Sequence, residues 1–346
     1  MNGKIIVAPL NWGLGHASRC VPIINALLKC NYTPIIASDG AALLFLQKEF
    51  PQLQSIELPS YHISYGKHIK LKLILQFPKI WKAVNQEKEL IRRFLAKNKD
   101  VLGLISDNRF GVFNNAIPSI YITHQINIFS GISTFFTSYI HQKIIKKFDE
   151  CWIPDTSNSE FSGKLSISKN KINAQYIGVL SRFKKESLQQ EIDILVILSG
   201  PEPNRTLLEK KLTLAFQNDT RNIVFVLGCV EEQQTKKKEN NITFYNYVLS
   251  NQLEKLLNSS KIVVCRSGYS SVMDLAVLEK KVFFIPTKNQ PEQEYLARYL
   301  EKKEYAPFSS IDDFTKIKID QIDKYKGLAT GQTQVNKELF SLFKRK

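Results

Sequence analysis

The sequence has few cysteines and no segment typical of secreted or membrane-spanning proteins. Its five cysteines are scattered, form no C-x-x-C pair and are odd in number, which indicates reduced residues in a cytosolic protein. No apolar run approaches the roughly 20 residues of a membrane-spanning helix. Met1 leads directly into a strand pattern rather than into a signal peptide. We therefore expect a cytoplasmic protein with reduced cysteines.

Acidic residues are also scarce relative to basic ones. Asp and Glu number 32 against 48 Lys and Arg, which gives a formal net charge of +16. A surface of this sign favours anionic partners, namely nucleic acid, an anionic membrane leaflet or a phosphorylated substrate. No D-x-D pair is placed to hold a metal–diphosphate complex, and His62, His68 and His141 lack metal-ligand spacing. We therefore expect no metal site and no bound cofactor.

What the sequence does contain is two series of alternating strand and helix patterns. Strand-like apolar runs lie at residues 4–9, 33–37, 53–58, 101–106 and 117–123, and again at 192–198, 223–227, 242–245, 261–265 and 282–286. Helical patterns separate most of these runs, and such an alternation predicts a parallel, doubly wound sheet. We therefore expect an α/β protein with two Rossmann-like domains that face each other across a cleft.

The domain boundaries follow from a change of composition in the middle of the chain. Turn residues become frequent after residue 151, so we expect a linker at 153–185. The N-terminal domain is then expected at residues 1–160 and the C-terminal domain at 185–325. A basic amphipathic helix at 326–346 is expected to pack back on the N-terminal domain.

The most informative polar residues follow two strand patterns of the second half. They are Arg266, Ser267, Gly268, Ser270, Ser271 and Asp274 after the first strand, and Gln290, Glu292 and Gln293 after the second. In open α/β sheets, ligands bind at the carboxyl ends of the strands. A glycine turn with an arginine at a helix N-terminus suits a phosphate. Asp274 suits a sugar diol, and the amides and carboxylates of the second turn suit carbohydrate hydroxyls. The sequence therefore predicts a nucleotide-sugar site.

A second glycine turn follows the first strand of the chain. Gly13 and Gly15 resemble the start of a dinucleotide-binding fingerprint, but the third glycine position is Ser18. A G-x-G turn alone is a weak signal, so we do not expect a nicotinamide or flavin site.

His16, in the same turn, is the candidate general base. A neutral imidazole can accept a proton from a hydroxyl group, although a lone histidine after a strand also often serves as a structural hydrogen-bonding group. Asp107 and His124 follow later strand patterns and are the alternative bases, because the carboxyl ends of parallel strands share one edge.

The turn at residues 11–19 and the segment at 266–297, set in two Rossmann-like halves, resemble GT-B glycosyltransferases. The likeness is to the branch related to MurG, the N-acetylglucosaminyltransferase of peptidoglycan assembly. The G-L-G-H-A-S-R turn is more similar to uncharacterised bacterial and archaeal relatives than to that enzyme. The resemblance covers the whole chain in architecture, but only these two segments carry specific motifs.

The resemblance implies roles for the same residues. Residues 266–268 with Ser270 and Ser271 would contact the donor diphosphate, Asp274 would bind the ribose, and residues 290–293 would recognise the donor sugar. The turn with Gly13, Gly15 and His16 would face the donor phosphates and the acceptor.

Two further correspondences concern the donor half. Ser199 and Gly200 match a glycine-serine turn, but Pro201 and Pro203 interrupt the glycine-rich run of the family. Val248 precedes the helix whose backbone amides would bind the base. The acceptor loops of the peptidoglycan enzyme are not reproduced, so its acceptor does not carry over.

The implied reaction is an inverting, metal-independent transfer of a hexose or N-acetylhexosamine from a UDP-sugar to a hydroxyl of a lipid-linked or envelope glycan. One alternative is a GT-B-fold epimerase acting on UDP-N-acetylglucosamine, which needs no acceptor. The other is a non-catalytic, basic nucleic-acid-binding protein. That alternative is disfavoured, because most aromatic residues lie in core patterns rather than between exposed basic residues.

Two segments suggest a membrane surface as a further partner. Residues 66–99 and 135–148 mix lysines with large apolar side chains. Each fits a core helix with a solvated lysine face, and each also fits an interfacial element. On the second interpretation the protein attaches peripherally to the inner face of the cell membrane.

Overall fold

A computed structural model describes residues 3–61, 69–129, 134–167, 172–200, 202–330 and 337–344, with only the backbone described at 69–77. The chain forms two compact units. The first comprises Met1–Leu180 together with Gln334–Lys346, and the second comprises Ser181–Thr333.

The first unit is built on a seven-stranded parallel sheet in the order β3-β2-β1-β4-β5-β6-β7. Its strands are β1 (Lys4–Pro9), β2 (Thr33–Ser38), β3 (Ser55–Glu57), β4 (Val101–Asp107), β5 (Ser119–Ile122), β6 (Glu150–Ile153) and β7 (Ala174–Tyr176). Its helices are α1 (Gly15–Lys29), α2 (Gly40–Glu49), α3 (Ile69–Lys97) and α4 (Thr134–Ile145). The central strands are uniformly apolar and buried, because helices cover both faces of a parallel sheet.

The second unit has a six-stranded sheet in the order β10-β11-β9-β8-β12-β13. Its strands are β8 (Ile192–Ile197), β9 (Ile223–Val226), β10 (Lys236–Glu239), β11 (Ile242–Tyr245), β12 (Ser260–Cys265) and β13 (Lys281–Phe284). Its helices are α5 (Asn204–Phe216), α6 (Ser250–Asn258), α7 (Tyr269–Val277) and α8 (Pro291–Lys302). Only the edge strand β10 pairs antiparallel among the strands described here. The predicted α/β class with two parallel sheets is confirmed.

The segment at residues 153–185, predicted as a linker, largely belongs to the first sheet. Strand β7 pairs with β6 inside this segment, and the first unit continues to Leu180. The prediction of a linker was wrong here, because a three-residue strand with the sequence A-Q-Y has no apolar run to reveal it.

The tail also differs from the predicted helix at 326–346. Its described part contains a short 3-10 helix, Lys337–Phe343, rather than an α-helix. Phe340 and Phe343 are buried, and both rings lie against Tyr32 of the first unit. Gly103 in β4 leaves room for Phe343, since a Cβ at this position would overlap the phenyl ring.

In each sheet the first strand in the chain lies inside the sheet. The strand order then runs outward from it in both directions. Strand β1 pairs with both β2 and β4, and β8 pairs with both β9 and β12. Such a switch point opens a crevice at the carboxyl ends of the strands. In register, Pro9 is opposite Asp107, and Ile197 is opposite Cys265. The turns that follow these residues carry most of the predicted site residues.

Candidate active site

The turn between β12 and α7 lies at the switch point of the second unit. Gly268 is the N-cap of α7, no side chain caps this helix, and no acidic residue lies in its first turn. A Cβ added to Gly268 or to Gly200 would meet no atom within 4 Å among the described residues. Open space therefore lies over two neighbouring glycine turns, beside backbone N–H groups at the positive end of a helix. This is the arrangement that binds phosphate groups.

The start of α8 is built differently. The Gln290 side chain caps this helix by accepting the Gln293 N–H, and Glu292 and Glu294 lie in its first turn. Oε1 of Gln293 in turn accepts the N–H of Thr287 at 2.8 Å. Residues predicted to recognise the donor sugar thus also fold their own turn, and that recognition stays a prediction.

Arg266 is almost completely buried and connects three backbone segments. Its Nη1 donates to the carbonyl oxygens of Ile285 and Pro286 at 3.1 and 3.0 Å, and its Nη2 donates to that of Asn204 at 2.9 Å. Burial lowers the pKa of Arg266 to about 10, because these acceptors carry no charge. In this position the guanidinium of Arg266 stabilises the turn by binding neighbouring backbone carbonyl groups. Its contact with a phosphate stays a prediction.

The hydroxyl residues of this turn divide into two kinds. Ser267 is buried and donates to the carbonyl oxygen of Gln293 at 2.7 Å, which ties the two turns together. Ser270 and Ser271 are half-buried in the first turn of α7.

Asp274 is half-buried one turn further along α7. Its Oδ1 accepts the hydroxyl of Ser181 at 2.6 Å, and that hydroxyl oxygen accepts the N–H of Phe183 at 3.1 Å. Burial raises the pKa of Asp274 to about 6, against the opposing effects of Arg182 and Ser181. Its carboxylate is therefore held in a fixed orientation, and its contact with a ribose stays a prediction.

The two remaining residues predicted for the donor lie at other strand ends. Ser199 and Gly200 follow β8 and are half-buried. Val248 is buried between β11 and α6, whose start has no side-chain cap. Next to it, Gln234 donates to the carbonyl oxygen of Tyr247 at 2.8 Å and fixes this turn.

The three candidate bases of the first unit lie in one hydrogen-bonded network. Nδ1 of His16 is 2.8 Å from Oδ1 of Asp107, across the switch point between β1 and β4. Arg19 donates from Nε and Nη2 to both carboxylate oxygens of Asp107. Nη1 of the same arginine lies 3.0 Å from Nδ1 of His124. Gly13 has a positive φ of 74°, and Gly15 begins α1, so this glycine turn presents His16 at the start of the helix.

Asp107 is fully buried, and its charge is compensated. Burial alone would raise the pKa of this carboxyl, but Arg19 and His16 outweigh it and hold the pKa well below its usual range. An enclosed, ionised carboxylate of this kind suits the orientation of His16 better than the removal of a proton from a substrate.

A second buried cluster lies behind the His16 turn. Arg109 is fully buried, pairs with Asp39, and donates from Nη1 to Oε1 of Glu87 at 2.7 Å. Nδ2 of Asn11 lies 3.2 Å from Oδ2 of Asp39, which anchors the start of the turn.

Arg19 is the residue of this site that the sequence analysis did not assign. It follows His16 by three residues, so both lie on one face of α1, and its neighbours Cys20 and Val21 are buried. A charged residue on a buried helix face requires a partner, and this was the available signal. No group of three His, Cys, Asp or Glu side chains is arranged as metal ligands in the described ranges. No helix of the described chain has the length and apolar character to cross a membrane.

Comparisons with known proteins agree with this architecture. The profile of the glycosyltransferase family 28 C-terminal domain matches residues 194–325. The UDP-N-acetylglucosamine--N-acetylmuramyl-(pentapeptide) pyrophosphoryl-undecaprenol N-acetylglucosamine transferase of Sulfurihydrogenibium sp. is 25% identical over 249 residues, which cover 69% of this chain and 65% of that protein. The match thus spans less than two thirds of that relative.

Two further relatives are similar over most of the chain. An uncharacterized glycosyltransferase of Methanosarcina acetivorans is 23% identical over 341 residues, which cover 87% of this chain and 84% of that protein. The crystal structure of MurG from Acinetobacter baumannii has a TM-score of 0.55 at 13% identity, with 98% of each chain covered.

The two parallel-sheet domains and these matches define a glycosyltransferase of the GT-B class. Within that class, residues 194–325 match the glycosyltransferase family 28 C-terminal domain, and the chain is similar to MurG-related proteins. The resemblance predicted from the two motifs is confirmed.

Proposed function

We propose that this glycosyltransferase moves a hexose or N-acetylhexosamine from a UDP-sugar to a hydroxyl group, with inversion at the anomeric carbon and without a metal ion. The open space above Gly200 and Gly268, at the uncapped start of α7, carries the proposal. A diphosphate in this space would accept N–H groups at the positive end of the helix. The name of the Sulfurihydrogenibium relative contains a UDP-sugar donor, which supports uridine as the nucleoside.

In the proposed reaction, the acceptor hydroxyl transfers its proton to Nε2 of His16 as its oxygen bonds to the anomeric carbon. The bond from that carbon to the diphosphate oxygen breaks, and its electron pair leaves with the diphosphate. In the tautomer that donates from Nδ1 to Oδ1 of Asp107, Nε2 of His16 is unprotonated and able to accept a proton. A single displacement of this kind inverts the configuration at the anomeric carbon.

The start of α7 would stabilise the departing diphosphate. Negative charge develops on the bridging oxygen in the transition state, and fixed N–H dipoles stabilise such charge without reorganisation. Neutralisation by a helix terminus is the basis for proposing that no metal ion is required. The nucleotide-sugar is then the only small molecule besides the acceptor, and no cofactor is involved.

The acceptor is proposed to be lipid-linked or part of an envelope glycan. On α4, Phe135 is 87% exposed and Phe136 64% exposed, while Lys143 is exposed about two turns further on. Exposed aromatic rings beside lysines suit the headgroup region of an anionic membrane. Trp81 of the segment at 66–99 is also exposed, whereas residues 62–68 and the side chains of 69–77 lie outside the described part.

The donor site is tested by a thermal-shift screen of UDP, GDP, TDP and their sugars. A ligand at about 100 times its Kd stabilises the protein by about 2.7 kcal/mol, so UDP compounds should raise Tm and the others should not. A response to GDP or TDP in preference to UDP would contradict the proposed nucleoside.

Product analysis separates transfer from epimerisation. The enzyme is incubated with UDP-N-acetylglucosamine in the absence of any acceptor, and the sugar nucleotides are resolved by chromatography. We expect no epimer. Formation of an epimer under these conditions would show that the protein is an epimerase rather than a transferase.

Membrane attachment is tested by co-sedimentation with phosphatidylglycerol vesicles at low salt. The double variant Phe135→Ser, Phe136→Ser should bind less than the parent protein. The matched control is Leu207→Ser, Leu214→Ser, which removes exposed apolar residues of the second unit. Equal binding by both variants, or no binding by the parent protein, would remove α4 as a membrane-attachment element.

A further inference from the structure

The contacts of Arg19 restrict the protonation of both histidines beside it. A guanidinium nitrogen can only donate hydrogen bonds, and a carboxylate oxygen can only accept them. Nη1 of Arg19 lies 3.0 Å from Nδ1 of His124, so that nitrogen must be the acceptor. Nε2 of the same ring lies 3.4 Å from Nε2 of Gln125, an amide nitrogen that also donates. A cationic His124 would direct a second N–H at the guanidinium, which like charges disfavour.

His16 lies between the two members of the ion pair. Its Nδ1 is 2.8 Å from Oδ1 of Asp107 and 2.9 Å from Nη2 of Arg19. A lone buried carboxylate at this distance would favour the imidazolium and would leave His16 without basic capacity at neutral pH. The guanidinium opposes that effect from an almost equal distance, because Arg19 and Asp107 carry opposite unit charges.

The other titratable groups of the network add no charge at neutral pH. Burial raises the pKa values of Cys20, on α1, and of Tyr121, on β5, well above their ordinary values. Burial lowers the pKa of His141, on α4, to about 4. Asn108, which follows β4, is a neutral amide that contacts Oδ1 of Asp107 at 3.3 Å. Among the described groups that contact this network, Arg19 and Asp107 therefore carry the charge.

We propose that Arg19 is a positioning residue that keeps His16 and His124 uncharged. His16 then keeps one ring nitrogen unprotonated at neutral pH, although it contacts a carboxylate. The consequence for catalysis rests on the proposed role of His16 as the base, whereas the effect of Arg19 on protonation does not.

The test is a titration of the histidine side chains by NMR, with ¹⁵N- and ¹³C-labelled histidine in the full chain. Five histidines give few signals, and His16→Gln and His124→Gln assign the two that matter. In Arg19→Met we expect the pKa of His16 to rise by about one unit or more, since opposite charges at this distance shift a pKa by about 1–3 units. The acidic limb of the pH profile of kcat/KM should move upward by a similar amount.

Two companion variants keep the test decisive if Arg19→Met folds poorly. Arg19→Lys retains the positive charge, so its shift should be smaller than that of Arg19→Met. The double variant Arg19→Met, Asp107→Asn removes both charges, and the pKa of His16 should return toward that of the parent protein. Thermal unfolding identifies which variants are folded.

An unchanged or lowered pKa of His16 in a folded Arg19→Met variant, or a shift in Arg19→Lys as large as that in Arg19→Met, would overturn the inference. A double variant whose pKa stays as high as that of Arg19→Met would also overturn it. Full transferase activity in His16→Gln would instead reject His16 as the base. That result leaves the NMR shifts of the Arg19 variants as an independent measure of the inference.

Discussion

The two switch points of this protein differ in what fills them. Between β1 and β4, the crevice holds ionised side chains that satisfy each other, with Arg19 and Asp107 at its centre. Between β8 and β12, it holds glycine turns with open space above Gly200 and Gly268. The same topology thus yields one site whose side chains bind each other and one site with open space at the start of a helix. In the proposed reaction, the first site accepts a proton and the second receives a diphosphate.

The largest expected effect is the loss of the base from the filled crevice. His16→Ala should lower kcat by about 10²–10⁴, the usual contribution of general base catalysis, with UDP affinity unchanged. Steady-state kinetics and calorimetry measure the two quantities. His124→Ala is the comparison variant and should retain more activity. A greater loss in His124→Ala than in His16→Ala would assign the base to His124.

The crevice between β8 and β12 is tested by placing a negative charge in its open space. Gly268→Asp fits the backbone, because the φ of Gly268 is −74°, and aspartate is a favoured N-cap that should preserve or raise thermal stability. Its carboxylate would occupy the anion site, and UDP affinity should fall by roughly a hundredfold, because juxtaposed like charges cost several kcal/mol. Gly268→Asn, of the same size but neutral, should lose much less. Equal UDP affinity in both variants would show that no phosphate binds at this turn.

A smaller effect is expected one helical turn further on. Asp274→Ala should weaken UDP binding about ten- to a hundredfold, because ribose hydroxyls lose a charged acceptor. Ser181→Ala, which removes only the hydroxyl that orients this carboxylate, should lose less. Unchanged affinity in a folded Asp274→Ala variant would exclude this residue from the donor site.

The raised pKa of Asp274 adds a pH dependence to the same site. Its carboxyl has a pKa of about 6, so the ionised acceptor is present above this pH and is lost as the pH falls through it. UDP affinity should therefore decrease below about pH 6 in the parent protein. In Asp274→Asn this component should be absent, which separates it from protonation of the nucleotide itself. Parallel pH curves for the two proteins would contradict the assignment.

The smallest expected effect is that of chelation. If the N–H groups of α7 neutralise the diphosphate, transfer activity in excess EDTA should equal that in magnesium. Activity that disappears on chelation and returns with manganese would show that the second crevice needs a cation as well as its helix terminus.

Much of this comparison could be predicted from the sequence, because strand ends are local features. The buried runs before Arg266 and Asp107 indicate where parallel strands end, and turn residues then follow at the ligand-binding edge. The pairing of Arg19 with Asp107 joins residues far apart in sequence, and no local pattern reports it. The sequence also did not reveal that Gln290 caps α8, because a side-chain amide can bind either a sugar hydroxyl or a backbone N–H at a helix start. Strand β10, with the exposed sequence K-K-K-E, lacks any apolar signal.

The ring of Phe343 over Gly103 has a consequence for the order of events during synthesis. A ribosome releases the first 180 residues of the chain well before it makes the segment that covers this glycine, because the whole second unit is translated in between. Nascent domains generally fold as units from the N-terminus onward. Here the first unit has an incomplete surface around Tyr32 and Trp152 until Phe340 and Phe343 arrive. The domain that begins translation is therefore the last to be completed.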